Sequence, residues 1–184
     1  MELEPTPIPG CYLVRSRLLP DDRGSFLKLF HHPIFGEAGL SPDWREIYCS
    51  SSRRGVIRGM HFQSPPADHE KLVFCLSGEV LDVILDLRRG SPTERRHLAI
   101  PLRGEAGVGV YVAAGCAHGF LGISEQSSML YLVTTPYAPD HDRGIAWDSF
   151  GFDWPVQDPI LSARDAAHPR LSEFDSPFSY SRPE

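Results

Sequence analysis

No apolar run in this 184-residue chain approaches the ~18 residues that a membrane-spanning helix needs, so a helical span is not expected. Positive charge is scarce. Against 24 Asp and Glu stand 18 Lys and Arg, for a net charge of -6, and no block of cations interrupts the balance. A nucleic-acid partner held by its phosphates is therefore not expected. Cysteine is sparse as well. Cys11, Cys49, Cys75 and Cys116 lie too far apart for a CxxC pair, which removes a zinc knuckle and a dithiol redox motif. Each reads as a small buried hydrophobe, kept reduced in a cytoplasmic protein. The opening MELEPTPIPG agrees with that compartment, being acidic and proline-broken where a secretory leader is basic and then apolar.

Proline and glycine are plentiful, 17 and 16, and spread along the whole length, as in many short strands joined by turns. No repeat, low-complexity tract or linker divides the chain, so residues 1–184 read as one domain. KLVFCLSGEV alternates and breaks at Ser77–Gly78. VLDVILDLR, GVGVYVAAG and SMLYLVTTPY supply further strands, and a short helix is expected in HHPIFGEAGL after Pro33, ending at Gly39. The pattern predicts an all-β barrel or sandwich with a few short helices. From Pro139 onward it turns irregular, with Trp147, Phe150, Phe152 and Trp154 as anchors, and the polar tail, about 172–184, is expected to be poorly ordered.

Within these apolar runs sit groups that a hydrophobic core does not tolerate unpaired. On VLDVILDLR, Asp82 and Asp86 share one face with Val80 and Ile84, while Leu81, Val83, Leu85 and Leu87 form the other. Arg58, His61, Lys71 and Tyr131 lie on neighbouring strands, so the acidic face is expected to line a polar cavity. A metal is one possible occupant. Metal-binding cupins use HxH, a later Glu and a distant His, where this chain has His61, Gln63, Glu70 and His118. Gln63 breaks that pattern, since an amide is a poor ligand for zinc or iron. Acid–base chemistry fits better. A neutral His61 can take a proton from a carbon next to a ketone, Lys71 can stabilise the enolate oxygen, and Tyr131 can return a proton from the opposite side. Together these steps are an epimerisation.

The pieces DDRGSF, GVIRGMHFQ, KLVFCLSGEVLDVILDLRRGSPT, GCAHGF, MLYLVTTPY, IAWDSFGFDWP and ILSARD, in this order from about Leu13 to Asp165, resemble the dTDP-4-dehydrorhamnose 3,5-epimerase family. The resemblance implies a cupin-like β-barrel or jelly roll acting as a homodimer on a nucleotide sugar, without metal or cofactor. It implies His61 as base paired with Asp165, Tyr131 as proton donor, and Lys71 at the enolate, with His118 lining the sugar site. Tyr137 is a second candidate donor, read as structural because the turn-forming Pro136 precedes it. Arg23 and Arg58 are expected on the diphosphate, where a guanidinium suits phosphate oxygens, and Phe26 near the base. Two departures bear on the substrate. Lys28 stands where the family carries a Glu that accepts the N–H of thymine, and a cation suits an acceptor base such as cytosine. Glu46 and Tyr48 replace two amides of a Gln-x-Asn-x-Ser run, while Ser50 matches. Alternatives are a single-carbon epimerase or ketoisomerase on a related nucleotide sugar, and a metal- or sugar-binding cupin.

Overall fold

The computed structural model describes residues 1–40 and 43–181. In chain order the strands are β1 (Glu2–Pro5), β2 (Tyr12–Arg15), β3 (Leu18–Asp21), β4 (Gly24–Leu27), β5 (Glu46–Arg53), β6 (Ile57–Gln63) and β7 (Lys71–Ser77). They continue with β8 (Glu79–Asp86), β9 (His97–Arg103), β10 (Val108–Val112), β11 (Cys116–Gly122), β12 (Gln126–Val133) and β13 (Asp142–Gly144). The helices are α1 (His32–Glu37), the short helix expected in this stretch, which begins one residue before Pro33 and ends two before Gly39, and α2 (Ala163–Ala166). One sheet runs β1-β2-β10-β7-β12-β5, the facing one β13-β6-β11-β8-β9, and β3–β4 is a separate hairpin. Every paired strand is antiparallel, giving the expected all-β, cupin-like barrel.

Over the central strands both faces of each sheet are covered, which explains runs as apolar as LVFC and VIL. Val80 and Ile84 of β8 point between the sheets and meet Val73, Val110, Phe120 and Met129. Val83, Leu85 and Leu87 point outward, under Ile145, Phe150, Trp154, Leu171 and Phe178 of the irregular C-terminal segment. On the other side Phe35 of α1 caps Leu72, Phe74, Tyr111 and Leu132. The aromatic anchors thus act as a lid over the second sheet. The tail is held further along than its polarity suggests: Phe178 is buried, its carbonyl accepts from Arg89 N at 3.0 Å, and Tyr180 N donates to Arg89 O at 2.9 Å. Residues 182–184 of that tail lie outside the described residues.

Two expectations need correction. Cys11, Cys75 and Cys116 are buried, but Cys49 is exposed, because it faces outward on β5, the edge strand of its sheet. Asp86 is fully buried yet does not line the cavity. It accepts from Arg88 Nε at 2.8 Å, Arg88 Nη2 at 2.9 Å, Ser91 Oγ at 2.6 Å and Thr93 Oγ1 at 2.8 Å. Burial alone would raise its pKa, but these donors hold it below the usual carboxylate value. Arg88 also donates to Pro9 O at 2.9 Å, so the pair ties the loop after β8 to the N-terminal segment. Asp86→Ala leaves a buried guanidinium without its anion and is expected to cost about 3–5 kcal/mol of stability in urea denaturation. A change within about 0.5 kcal/mol, as at an ordinary surface position, would mean that the loop stands without the pair.

Candidate active site

A cavity of about 300 Å³ opens between the two sheets. From β5, β7 and β12 it receives Glu46, Tyr48, Lys71 and Tyr131. Across it, β6 and β11 present Arg58, His61 and His118. These seven sequence-predicted residues are brought together. Strand alternation places them: residues 46, 48 and 50 point inward along β5, and Tyr131 is the register partner of Tyr48 on β12. His61 and His118 are directly opposed on β6 and β11. That approach depends on glycine, because a Cβ on Gly59 (φ +144) would fall 2.6 Å from Gly119 Cα.

Asp165 lies behind His61 rather than in the cavity lining, at 2.7 Å from Nε2 to Oδ1. Its backbone N–H is capped by Ser162 Oγ at 3.0 Å, which fixes the short helix α2. Gly59 N approaches the other carboxylate oxygen at 3.4 Å. Burial alone would raise the pKa of Asp165, but His168, His61 and the Gly59 N–H hold it far below the usual range. His61 moves the other way from a carboxylate's partner. Burial lowers its pKa and outweighs Asp165, with the positive charges of Arg164 and Lys71 acting in the same sense as burial. With Nε2–H directed to the carboxylate, the lone pair of His61 is on Nδ1.

Lys71 is buried and donates to His61 O at 3.1 Å. Burial pushes its pKa down to about 8, against the pull of Asp142 and Asp82. Tyr131 is buried, and desolvation raises its pKa well above the ordinary phenol value, with Ser50 and Arg58 opposing. The ring of Tyr48 stacks on it, centroids 4.8 Å apart and planes 13° from parallel, and its own pKa is pushed up to about 12, first by burial and then by Glu46. His118 Nε2 meets Asp82 Oδ2 at 2.7 Å, both buried, so Asp82, which like Asp86 is not part of the cavity lining, acts on the site from behind His118.

Arg23, Phe26 and Lys28 are not in this cavity. They ride on the β3–β4 hairpin and the residues after it, where Arg23 pairs with Asp21 at 2.6 Å and Phe26 is 59% exposed. Several lining residues escaped the sequence reading. Arg164 adjoins Asp165 inside ILSARD and was legible by position; Asp142 and His69 carried no motif. Tyr137, read as structural, sits at the cavity with its N–H on Glu46 Oε2 at 2.6 Å. Gln63 does not face a metal. Its amide nitrogen donates to Ala67 O at 2.8 Å and its oxygen accepts from Ala138 N at 2.6 Å, while Glu70 lies outside the cavity lining. Among the described residues, His61, Asp165 and His168 are the set whose ligand atoms all fall within 4.8 Å of one another. Two imidazoles and a carboxylate suit zinc or iron, but Arg164 Nε stands 3.5 Å from the same carboxylate and opposes a cation.

The profile described as dTDP-4-dehydrorhamnose 3,5-epimerase matches residues 5–173. A dTDP-4-dehydrorhamnose 3,5-epimerase of Pseudomonas aeruginosa is 40% identical over 172 residues, covering 91% of this chain and 94% of its own. A 4-keto-6-deoxy sugar epimerase from the novobiocin cluster of Streptomyces spheroides superposes with TM-score 0.91 at 36% identity, over 94% of this chain and 88% of that one. A 3,5-epimerase of Legionella pneumophila, solved with dTDP-4-keto-L-rhamnose, superposes with TM-score 0.92 at 31% identity, over 98% and 99% of the two chains. By fold, cavity and sequence alike, the chain belongs to the dTDP-4-dehydrorhamnose 3,5-epimerase family of isomerases.

Proposed function

We propose that the protein epimerises a nucleotide-diphospho-4-keto-6-deoxyhexose at C3, C5 or both, and that the opposition of His61 and Tyr131 on facing sheets carries the reaction. His61 Nδ1 removes the proton next to the C4 ketone, and Asp165 holds the imidazolium that forms. The Lys71 ammonium stabilises charge on the enolate oxygen. Tyr131, kept protonated by burial, delivers a proton to the other face, which inverts the carbon. His118 lines the sugar site and Arg58 holds the diphosphate at the rim. No metal or cofactor enters this scheme. The chain works in this reading as a single, cytoplasmic domain.

The nucleotide is placed by Arg23, Phe26 and Lys28 of a second copy. Support comes from the hairpin itself, which leaves Leu19 45% and Phe26 59% exposed and contributes no residue to the lining of the cavity that holds His61. In this homodimer each site takes its base from one copy and its nucleotide grip from the other. Mixing inactive His61→Asn with impaired Arg23→Ala should then restore activity through the one intact site of the mixed dimer. No gain on mixing would show that the hairpin serves its own chain or none.

Two measurements test the chemistry. In deuterated water with the thymidine-linked 4-keto-6-deoxyglucose substrate, two deuterons in the sugar mean exchange at both carbons and one means a single-carbon enzyme, for which the Tyr48–Tyr131 stack narrows the sugar wall. None with thymidine but incorporation with the cytidine analogue assigns the base to Lys28; none with either overturns the proposal. The pH profile gives the second. Activity needs neutral His61 and cationic Lys71, so it should fall as pH drops below the depressed pKa of His61 and as it rises through about 8. Lys71→Met should lose the alkaline limb together with about 10²–10³ in kcat. An alkaline limb unchanged in that variant would remove Lys71 from the mechanism.

A further inference from the structure

We infer that His168 is a positioning residue of the His61–Asp165 pair: two imidazoles face one carboxylate oxygen, and the second sets the base strength of the first. The inference rests on His61 acting as the base. Asp165 Oδ1 takes His61 Nε2 at 2.7 Å, and His168 Nε2 stands 3.6 Å from the same oxygen. The two rings meet edge to face, centroids 5.6 Å apart and planes at 75°. His168 is 11% exposed, and its Nε2 is shut off from solvent with no hydrogen-bond partner among the described residues.

The ring has nowhere else to go. It lies against the backbone of Gly144, where a Cβ would fall 2.3 Å from Nε2 and 2.5 Å from Cδ2. Gly144 is itself the register partner of His61 across β13 and β6, so one glycine seats His168 beside the base it serves. With Asp165 Oδ1 the acceptor that this nitrogen faces, the proton belongs on Nε2. A lone pair there would oppose the carboxylate's own, whereas an N–H is drawn to it. Asp165 of α2, with Arg164 on the same carboxylate, and the titratable ring of His61 on β6 face His168, while β13 presents glycine at the contact. Arg164 Nε is 3.5 Å from the same oxygen. Asp165 Oδ1 is therefore approached by three donors, and each draws off charge that would otherwise hold a proton on His61. The result is an imidazole that stays neutral, and ready to act as base, at lower pH.

The test reads His61 without requiring turnover. Imidazole NMR titration of the free protein should show the pKa of His61 rising by about one unit, tenfold in its protonation constant, in His168→Phe, which keeps a ring but loses the N–H. His168→Gln, which keeps a donor, should restore most of the original value. Gly144→Ala, which drives the ring off its seat, should reproduce the His168→Phe shift. Where turnover is measurable, the acid limb of kcat/KM should move with the NMR value. A His61 titration unchanged in His168→Phe and Gly144→Ala, or unrestored by His168→Gln, overturns the inference. A wild type that titrates as expected but exchanges no substrate proton would instead overturn the proposed reaction, leaving the role of His168 intact.

Discussion

The junction between β6 and the C-terminal segment is what the rest of the molecule depends on. Met60 and Ile145 exchange backbone hydrogen bonds at 3.1 and 2.9 Å, and Ile57 N and Gly55 O close on Ile160 at 3.1 and 2.8 Å. Beyond His61, Ser64 N donates to His141 O at 2.9 Å, so the irregular segment is stitched to this strand on both sides of that residue. Its aromatics seal the outer face of the sheet, and that seal delivers Asp165 to the back of His61. A barrel lacking this segment would expose Val83, Leu85 and Leu121 and would leave His61 without a carboxylate. Fold stability and catalytic geometry here share the same contacts.

This coupling explains which parts were legible in the sequence. Strands β7, β8, β10 and β12 announce themselves because alternation and glycine turns are local properties, read over a few residues. The helix after Pro33 follows from an equally local rule. His61, Lys71 and Tyr131 could be suspected because each is a polar group on an apolar strand, which demands a partner or a ligand. Asp165 was legible only through the resemblance carried by ILSARD. Nothing in the spacing of residues 61 and 165 says that they touch. His168 is the same case without a motif, because its role exists only once β13 lays Gly144 beside His61.

Asp82 and Asp86 show where pattern reading stops. They stand four positions apart on one strand face, both alternate inward, and both are fully buried. Asp82 finds His118 on β11 and backs that cavity residue, whereas Asp86 finds Arg88, Ser91 and Thr93 in the loop that follows it. The face was predictable and the partner was not, since the partner is chosen by how the loop after β8 turns back. The exposed Cys49 teaches the same lesson for an edge strand, whose outer face no neighbouring layer is obliged to cover.

Burial also organises the chemistry, and it does not favour every group in the way its role needs. Withdrawing water disfavours whichever form is charged. For His61 and Tyr131 that is an advantage, because a base must begin neutral and a phenol donor must begin protonated, and desolvation drives both that way. For Lys71 it is a handicap, since the ammonium is the useful form and desolvation pushes its pKa down to about 8. Asp142 and Asp82 oppose that fall, and neither bonds the ammonium, which instead donates to His61 O at 3.1 Å. A carboxylate paired tightly with Lys71 would keep it charged more firmly but would neutralise the field an enolate is meant to feel. Carboxylates at a distance, acting on a lysine held by a backbone carbonyl, keep the charge while leaving it free to act.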